Sequence, residues 1–251
     1  ATATAALAQV KLGNVNVQGT VRTRLEAWDW FSNGEGDGAY VYNGTMARLG
    51  FSQAKKQYDW QLEFEAPLLL GLPENANATG AAGALGLGAN YFNANHRHQN
   101  AAFIFLKQGN IRWKANDHHS LKLGRFEFND GTEVVSKDAT LVALKRDRIA
   151  QRLIGNFGWT HVGRSLDGVH YVGTGKVAVH ALAALPTRGV FQVDGWGPLR
   201  TGFGYVSVNR AQGPSDWRLF GIYYQDAREV VKTDNRPLAL RRNDLGNIKI
   251  G

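Results

Sequence analysis

A strict alternation of apolar and polar residues in the stretch 15–27, VNVQGTVRTRLEA, constrains the fold more than any other feature of this sequence. Its odd positions are mostly small or apolar, whereas its even positions include Arg22, Arg24 and Glu26. A period of two predicts a β-strand whose successive side chains point to opposite faces. In a soluble sheet the apolar face forms the core. In an outer-membrane barrel the apolar face meets lipid and the charged face lines the interior.

The same alternation recurs in later segments and predicts further strands. It opposes apolar residues to Arg48 in 42–53, and to Glu63 and Glu65 in 59–66. Weaker versions follow as far as the C-terminal GNIKIG, so that about ten strands can be counted. The pattern therefore predicts an all-β fold built from antiparallel strands.

Two positions interrupt the alternation. Lys107 falls on the apolar side of the predicted strand AFIFLKQGNIRWK. Further on, Leu121 and Leu123 share their parity with Arg125, so the charged residue would lie on the apolar face. We expect a β-bulge at Gly124 to change the phase and to return Arg125 to the polar face.

The connections between the predicted strands alternate in length. Turns of about four to six residues alternate with connections of roughly 10 to 36 residues, as in membrane barrels with short periplasmic turns and long external loops. A soluble sandwich has no reason for this alternation, since both of its ends face water. The sequence thus predicts one antiparallel transmembrane β-barrel domain over residues 1–251, in the bacterial outer membrane, with membrane lipid around it.

The composition of the chain indicates which class of partner it binds. The chain has 29 basic and 21 acidic residues, a net charge of +8, and no cysteine. A basic excess favours a polyanionic partner, and the absence of cysteine excludes disulfides.

Residues 1–8, within ATATAALAQ, resemble the end of a secretory signal peptide and are expected to be its remnant. The final IKIG stops in the middle of a strand pattern, so we expect an N-terminal portion of a larger barrel; the alternative is a shortened barrel that ten strands close by themselves.

Three segments together resemble the alginate export porin family of Gram-negative outer membranes. They are VRTRLEAWDWF, the pair NIRWK and LKLGRFEF, and QRLIGNFGWTHVGRSLDGVHY. The resemblance covers about positions 15–251, in order. It implies a large single-chain barrel that passes an anionic uronate polymer through an arginine-rich constriction. It also implies that Arg125 with Glu127, Arg152 and the stretch 164–168 lie in the lumen.

The alternating strands and the resemblance together define a candidate substrate path. Arginine suits such a path, because its planar guanidinium pairs with carboxylates and stays charged at every useful pH. Neighbouring carboxylates would brace the guanidinium groups. The candidate lumen arginines are Arg22, Arg24, Arg48, Arg112, Arg125, Arg152 and Arg164, and the bracing acids are Glu26, Glu63, Glu65, Glu127 and Asp167.

Other motifs are weaker. The stretch 138–152 is expected to form a short helix capped by Asp138, in an external or inward-folded loop. NGEGDG at 33–38 has calcium-loop spacing but Gly44 where a bidentate Glu is needed. We therefore expect no metal, no cofactor, no nucleic acid and no catalytic residues.

Three functions stay open on these grounds. The first is a channel for an anionic polysaccharide or other anionic solute, with periplasmic or outer-membrane proteins as further partners. The second is a structural outer-membrane barrel that acts as a scaffold in a larger assembly. The third is a soluble all-β protein that binds acidic polysaccharides.

Overall fold

A single antiparallel sheet organises the chain. The structure, a computed structural model, describes residues 2–29, 38–78, 83–212, 215–227 and 248–250. The strands are β1 (Thr2–Leu12), β2 (Val15–Asp29), β3 (Ala39–Ala54), β4 (Tyr58–Leu70), β5 (Ala101–Ala102), β6 (Phe105–Lys114), β7 (His119–Phe126), β8 (Leu166–Gly173), β9 (Ala178–Pro186), β10 (Thr201–Gln212), β11 (Ser215–Asp226) and β12 (Ile248–Ile250). The predicted all-β, antiparallel fold is confirmed.

The strands follow one another in the sheet in sequence order. The pairing runs β1-β2-β3-β4-β6-β7-β8-β9-β10-β11-β12, with the short β5 paired to β4. Within the described residues the sheet is not closed, since β1 and β12 lie at its two ends. In such a meander, alternate connections lie at opposite ends of the strands. The short turns therefore share one end of the sheet and the long connections share the other, as their lengths predicted.

The N-terminal residues add a strand that the sequence did not predict. Residues 2–8, within the expected signal-peptide remnant, belong to β1, which pairs with β2 from Thr2–Leu25 to Leu12–Val15. The backbone of 2–12 finds its hydrogen-bond partners on the edge of β2, which explains why this alanine-rich stretch is extended. With β1 and β5, the described residues contain two strands more than the ten predicted.

The phase change lies on β6 and not at Gly124. The pairing of β4 with β6 shifts between Glu63–Gln108 and Phe64–Leu106, which leaves Lys107 as the extra residue of a β-bulge. The pairing of β6 with β7 runs from Gly109–Arg125 to Lys114–Ser120 without a shift, so the predicted bulge at Gly124 is wrong. Gly124 instead has a φ of 114°, and a Cβ there would overlap the carbonyl oxygen of Gly109.

Helices occupy two of the long connections. The stretch 71–100, which is rich in glycine, alanine and asparagine and has no periodic pattern, contains α1 (Gly86–Ala94), whose Leu87, Tyr91 and Phe92 are buried. The predicted helix is present as α2 (Ala139–Leu144), and its N-cap Asp138 accepts a hydrogen bond of 2.9 Å from the backbone of Leu141. A π-helical turn, Lys145–Ile149, follows α2. Among the described residues, no helix is long and apolar enough to cross a bilayer.

The two faces of the sheet carry opposite chemistry. On β2, Val21 and Leu25 are about half exposed, at 48% and 51%, whereas the neighbouring Glu26, on the opposite face, is 6% exposed. We call the covered face the inner face, because α1 and the segment 156–165 pack on it. Tyr42 and Leu69 of this face form a core with Tyr91, Phe105 and Val162, among others. The charged faces of the predicted strands are therefore the covered ones.

Candidate lumen site

A segment of the long β7–β8 connection lies across the inner face of β2. Arg22 donates hydrogen bonds to the carbonyl oxygens of Gly158, at 3.0 Å, and Thr160. Arg24 donates to the carbonyl oxygen of Trp159 at 2.7 Å. We call residues 156–162 the inserted segment. It is held in place by guanidinium groups that bind neutral backbone carbonyls.

The side chain of His161 in the inserted segment is fully buried. Its Nε2 lies 3.0 Å from Nη2 of Arg24 and 3.2 Å from Oε1 of Glu26. Its backbone N–H donates a 2.8 Å hydrogen bond to the hydroxyl of Tyr91 on α1. Burial lowers the pKa of His161, the nearby Arg24 lowers it too, and the hydrogen bond to Glu26 acts in the opposite direction. Burial therefore favours the neutral form of the imidazole.

A second charged group lies beside the first, on β3, β4 and β6. Arg48 Nε lies 2.7 Å from Glu65 Oε2, and its guanidinium also lies 3.6 Å from Glu63 and from Glu127. Lys107 Nζ lies 3.3 Å from Glu127 and 3.8 Å from Glu65, and donates to the carbonyl oxygen of Val162 at 2.9 Å. Lys107 and Glu65 are fully buried. Two such charges in a covered site require each other, because desolvation of either alone is costly.

These two groups contain equal numbers of basic and acidic side chains, but the acidic side chains are distributed unevenly between them. The inner face brings together four basic and four acidic side chains, namely Arg22, Arg24, Arg48, Lys107, Glu26, Glu63, Glu65 and Glu127. Three of the carboxylates surround Arg48 and Lys107. The arginines of β2 contact one carboxylate, Glu26, at 3.2 Å from Arg24, and their other partners in the inserted segment are backbone carbonyls and the His161 ring.

A cavity of about 470 Å³ lies between the segment 151–159 and the inner faces of β8, β10 and β11. We call it the arginine–aromatic cavity. Arg152 and Arg164 line it together with aromatic and aliphatic side chains, among them Phe157, Trp159 and Phe203. The structure thus brings two of the predicted arginines to one cavity, apart from Arg22, Arg24 and Arg48.

Two of the predicted arginines lie elsewhere. Arg112 is at the short-turn end of β6, where its Nε donates to Asp59 at 2.9 Å. Arg125 pairs with Asp167 through two hydrogen bonds of 2.7 Å and shares the parity of the exposed Leu123. It also donates to the carbonyl oxygens of Gly195 and Trp196 in the β9–β10 connection. Neither arginine joins the inner-face groups.

Sequence reasoning missed two central residues. Lys107 stood out as a lysine on an apolar strand face, and this was the signal of a bulge that turns its side chain inward. His161 had no such signal, because its partners Glu26 and Tyr91 are 135 and 70 residues away along the chain.

Metal ligands were not expected, and Asn33, Glu35 and Asp37 of the weak calcium-loop motif lie outside the described residues. Within the part of the chain that the structure describes, no group of three or more His, Cys, Asp or Glu side chains is placed to hold a metal ion. Comparison with protein-family models, with curated proteins and with solved structures finds no match to this chain.

Proposed function

We propose that this protein is a β-barrel channel of the bacterial outer membrane for an anionic polysaccharide or other anionic solute. The observation that carries the proposal is the inversion of the sheet faces. Ile111 and Trp113 of β6 are 56% and 55% exposed, whereas Lys107 on the same strand is fully buried. Exposed apolar surface costs about 25 cal/mol per Å² in water, and this cost disappears in lipid.

The inverted faces argue against the soluble alternative. A soluble sheet buries its apolar side chains and leaves charged ones in water, because an uncompensated buried charge is unfavourable. Here Glu65 and Lys107 are covered while Leu25 and Val206 are about half exposed. The resemblance to the alginate export porin family agrees with a barrel, and membership of that family remains part of the proposal.

The inserted segment suggests how an anion would pass. Arg22 and Arg24 bind backbone carbonyls, which carry no net charge. A carboxylate forms stronger, charge-assisted hydrogen bonds with guanidinium groups than a carbonyl does. An anionic solute would therefore compete for these arginines and displace the inserted segment. Conduction also requires that the solute leave the site again. The negative charge of neighbouring Glu26 would weaken the binding of an anionic solute to Arg22 and Arg24.

A second candidate function is that of a structural barrel in a larger assembly. It is favoured by the ion pairs of Arg48 and Lys107 with Glu63, Glu65 and Glu127, which brace neighbouring strands without a free cation. A braced interior of this kind would carry no current.

The test is the reversal potential of the complete chain in a planar lipid bilayer under a potassium chloride gradient. We expect anion selectivity, reduced by the double substitution Arg22→Gln and Arg24→Gln. Arg146→Gln is the control, because Arg146 is exposed and pairs with its neighbour Asp147. Cation selectivity would overturn the proposal, as would a protein that stays soluble without detergent. A silent barrel would favour the scaffold.

A further inference from the structure

A second cavity on the inner face lies between the β7–β8 connection and the strands β8 and β9. Residues 127–133 and Asn156 of the connection line it together with His170 and His180. Its volume of about 320 Å³ is within the range of small-molecule sites. Among the residues that the structure describes, no lysine or arginine contributes to the lining, which is mostly polar. We call it the histidine–asparagine cavity.

The two carboxylates at this cavity already have basic partners behind the lining. Glu127 lies 3.3 Å from Lys107 Nζ and 3.6 Å from the Arg48 guanidinium. Glu133 lies 3.4 Å from Nη1 of Arg218. An anionic or cationic occupant would therefore bring an unpaired charge into a covered site, which is unfavourable. The lining favours a neutral occupant.

The two asparagines of the cavity offer side-chain N–H donors. Asn129 Oδ1 accepts a 2.9 Å hydrogen bond from the backbone of Asn156, and Asn156 Oδ1 accepts one of 3.0 Å from the backbone of Gly158. Because a backbone N–H can only donate, these contacts identify the oxygen of each amide and leave its NH2 group for another partner. Thr132 Oγ1 donates to the carbonyl oxygen of Asn129 at 3.1 Å, so its lone pairs can accept.

The histidine pair adds one further donor and one further acceptor. His170 Nε2 lies 3.2 Å from His180 Nδ1. An N–H···N hydrogen bond needs one lone pair, so the two rings are not both protonated. Whichever ring donates, a neutral pair keeps one other N–H and one other lone pair. The ring of Phe128, whose centre is 5.1 Å from that of His170, adds apolar surface to the lining.

We infer that the histidine–asparagine cavity binds a neutral sugar ring. The hydroxyl groups of a pyranose both donate and accept, and each needs a partner when it is buried. The amide groups, the histidine pair and Thr132 supply such partners, while the C–H face of the ring packs on Phe128. A uronate is expected to bind less tightly, because its carboxylate would lie beside Glu127 and Glu133. The inference goes beyond the proposed function, which concerns an anion and depends on Arg22 and Arg24.

Binding is measured by ligand-observed NMR titration of the complete chain in lauryldimethylamine oxide micelles, since maltoside and glucoside detergents would themselves present sugar rings. The probes are methyl β-D-glucopyranoside and its galacto and manno epimers. Cyclohexylmethanol lacks the ring hydroxyl groups, and methyl β-D-glucuronoside adds a carboxylate. We expect at least one neutral glycoside to bind about tenfold more tightly than either comparison compound.

Cellotriose, a linear neutral trisaccharide, separates two sources of such a ring. Tighter binding of cellotriose than of the glucoside would indicate a unit of a polymer, and weaker binding would indicate a free sugar.

The glucuronoside is also a solute that the proposed channel would carry, so its titration is repeated with the double variant Arg22→Gln, Arg24→Gln. Glucuronoside binding that this variant loses belongs to the arginines of β2 and agrees with the inference. The titration does not depend on conductance. A cation-selective protein that binds a neutral glycoside would overturn the proposed channel alone, whereas an anion-selective channel that binds none of the three would overturn the inference alone.

Two variants test the polar lining. His170→Phe removes the nitrogens of one ring, keeps an aromatic ring beside Phe128, and is expected to weaken glycoside binding about tenfold. Thr132→Val is expected to weaken it about threefold, and its exposed position preserves the fold if His170→Phe does not. Thr174→Val is the matched control, because Thr174 is exposed and its hydroxyl also donates to a backbone carbonyl oxygen, but it lies outside the cavity.

Three further outcomes overturn the inference. The first is that no neutral glycoside binds better than cyclohexylmethanol. The second is that both variants bind the glycoside as tightly as the wild type. The third is that the glucuronoside binds more tightly than every neutral glycoside and still does so in the double variant of β2.

Discussion

The imidazole of His161 occupies the space that a side chain at position 44 would fill. A Cβ built on Gly44 would overlap the His161 ring, so glycine at this position of β3 allows the inserted segment to approach the sheet. Gly44 is opposite Arg24 in the β2–β3 pairing, and Arg24 itself contacts His161. One absent side chain and one arginine thus position the same histidine.

The substitution Gly44→Ala is therefore expected to displace His161 without changing any charge. If the inserted segment closes a channel, the variant has a higher single-channel conductance than the wild type. The control is Gly50→Ala on the same face of β3, since a Cβ there would meet the flexible side chain of Gln18. Conductance that is equal in both variants would show that the inserted segment does not close the path.

Acidification is expected to release the inserted segment through His161. Burial lowers the pKa of this histidine below its ordinary value of 6.5, which it regains when the inserted segment is displaced or the protein unfolds. At a pH between the lowered and the ordinary pKa, the displaced or unfolded protein therefore binds more protons than the folded protein. Stability is therefore full above pH 6.5 and falls as the pH drops toward the lowered pKa, by up to about 1.4 kcal/mol per pH unit. The groups that face the ring are Arg22, Arg24, Glu26 and the hydroxyl-bearing Tyr42 and Tyr91.

The measurement is thermal unfolding in detergent micelles between pH 7.5 and 5, for the wild type and for His161→Gln. The variant removes the titrating group, so its melting temperature is expected to depend less steeply on pH in this range. Identical pH profiles would assign the acid sensitivity to another group.

Much of the sheet could be predicted from local patterns, because alternation with period two is written into each strand separately. The strand around Arg22 and the cap at Asp138 were predictable for this reason. The helix α1 was not, since its glycine- and asparagine-rich sequence is stabilised by packing of Tyr91 and Phe92 on the sheet. β1 could not be predicted either, because its extended conformation depends on pairing with β2.

The sequence predicted which face of a strand carries a charged side chain, but not which charged side chains lie together. The parity of Glu63 and Glu65 placed them correctly with Arg48, because all three lie on strands with a clean alternation. Arg112 and Arg125 do not join this group: Arg112 lies at the short-turn end of β6 beside Asp59, and Arg125 binds Asp167 and the β9–β10 connection. The contacts that a long connection makes with the sheet produce no periodic pattern in the sequence, so they could not be predicted.

The buried pair Lys107–Glu65 provides a prediction about stability. Lys107→Met removes the fully buried cation and leaves Arg48 as the remaining basic partner of Glu65 and Glu127, so we expect a loss of about 3 kcal/mol in the free energy of unfolding, the lower end of the range for breaking a buried pair. The double variant Lys107→Met, Glu65→Gln removes both charges and is expected to lose less than the sum of the single variants. The measurement is a double-mutant cycle by urea unfolding in detergent micelles.

Lys114→Met is the matched control on the same strand. Lys114 pairs with Asp59 at 2.6 Å, and its side chain is 29% exposed, so the expected loss is about 0–1 kcal/mol. Equal losses in Lys107→Met and Lys114→Met would contradict a buried, mutually dependent pair.

Arg125 is expected to fix the β9–β10 connection to the ends of β7 and β8. Its guanidinium binds Asp167 and the carbonyls of Gly195 and Trp196, and hydrogen bonds to charged groups contribute about 1.5–3 kcal/mol each. In Arg125→Gln the connection opens more often, so chymotrypsin is expected to cleave at Trp196 at least about tenfold faster, since cleavage follows the population of the open form. Arg188→Gln is the control, because Arg188 lies in the same connection and its pair with Asp194 is exposed. If both variants are cleaved at the wild-type rate, the connection is held by its packing and not by Arg125.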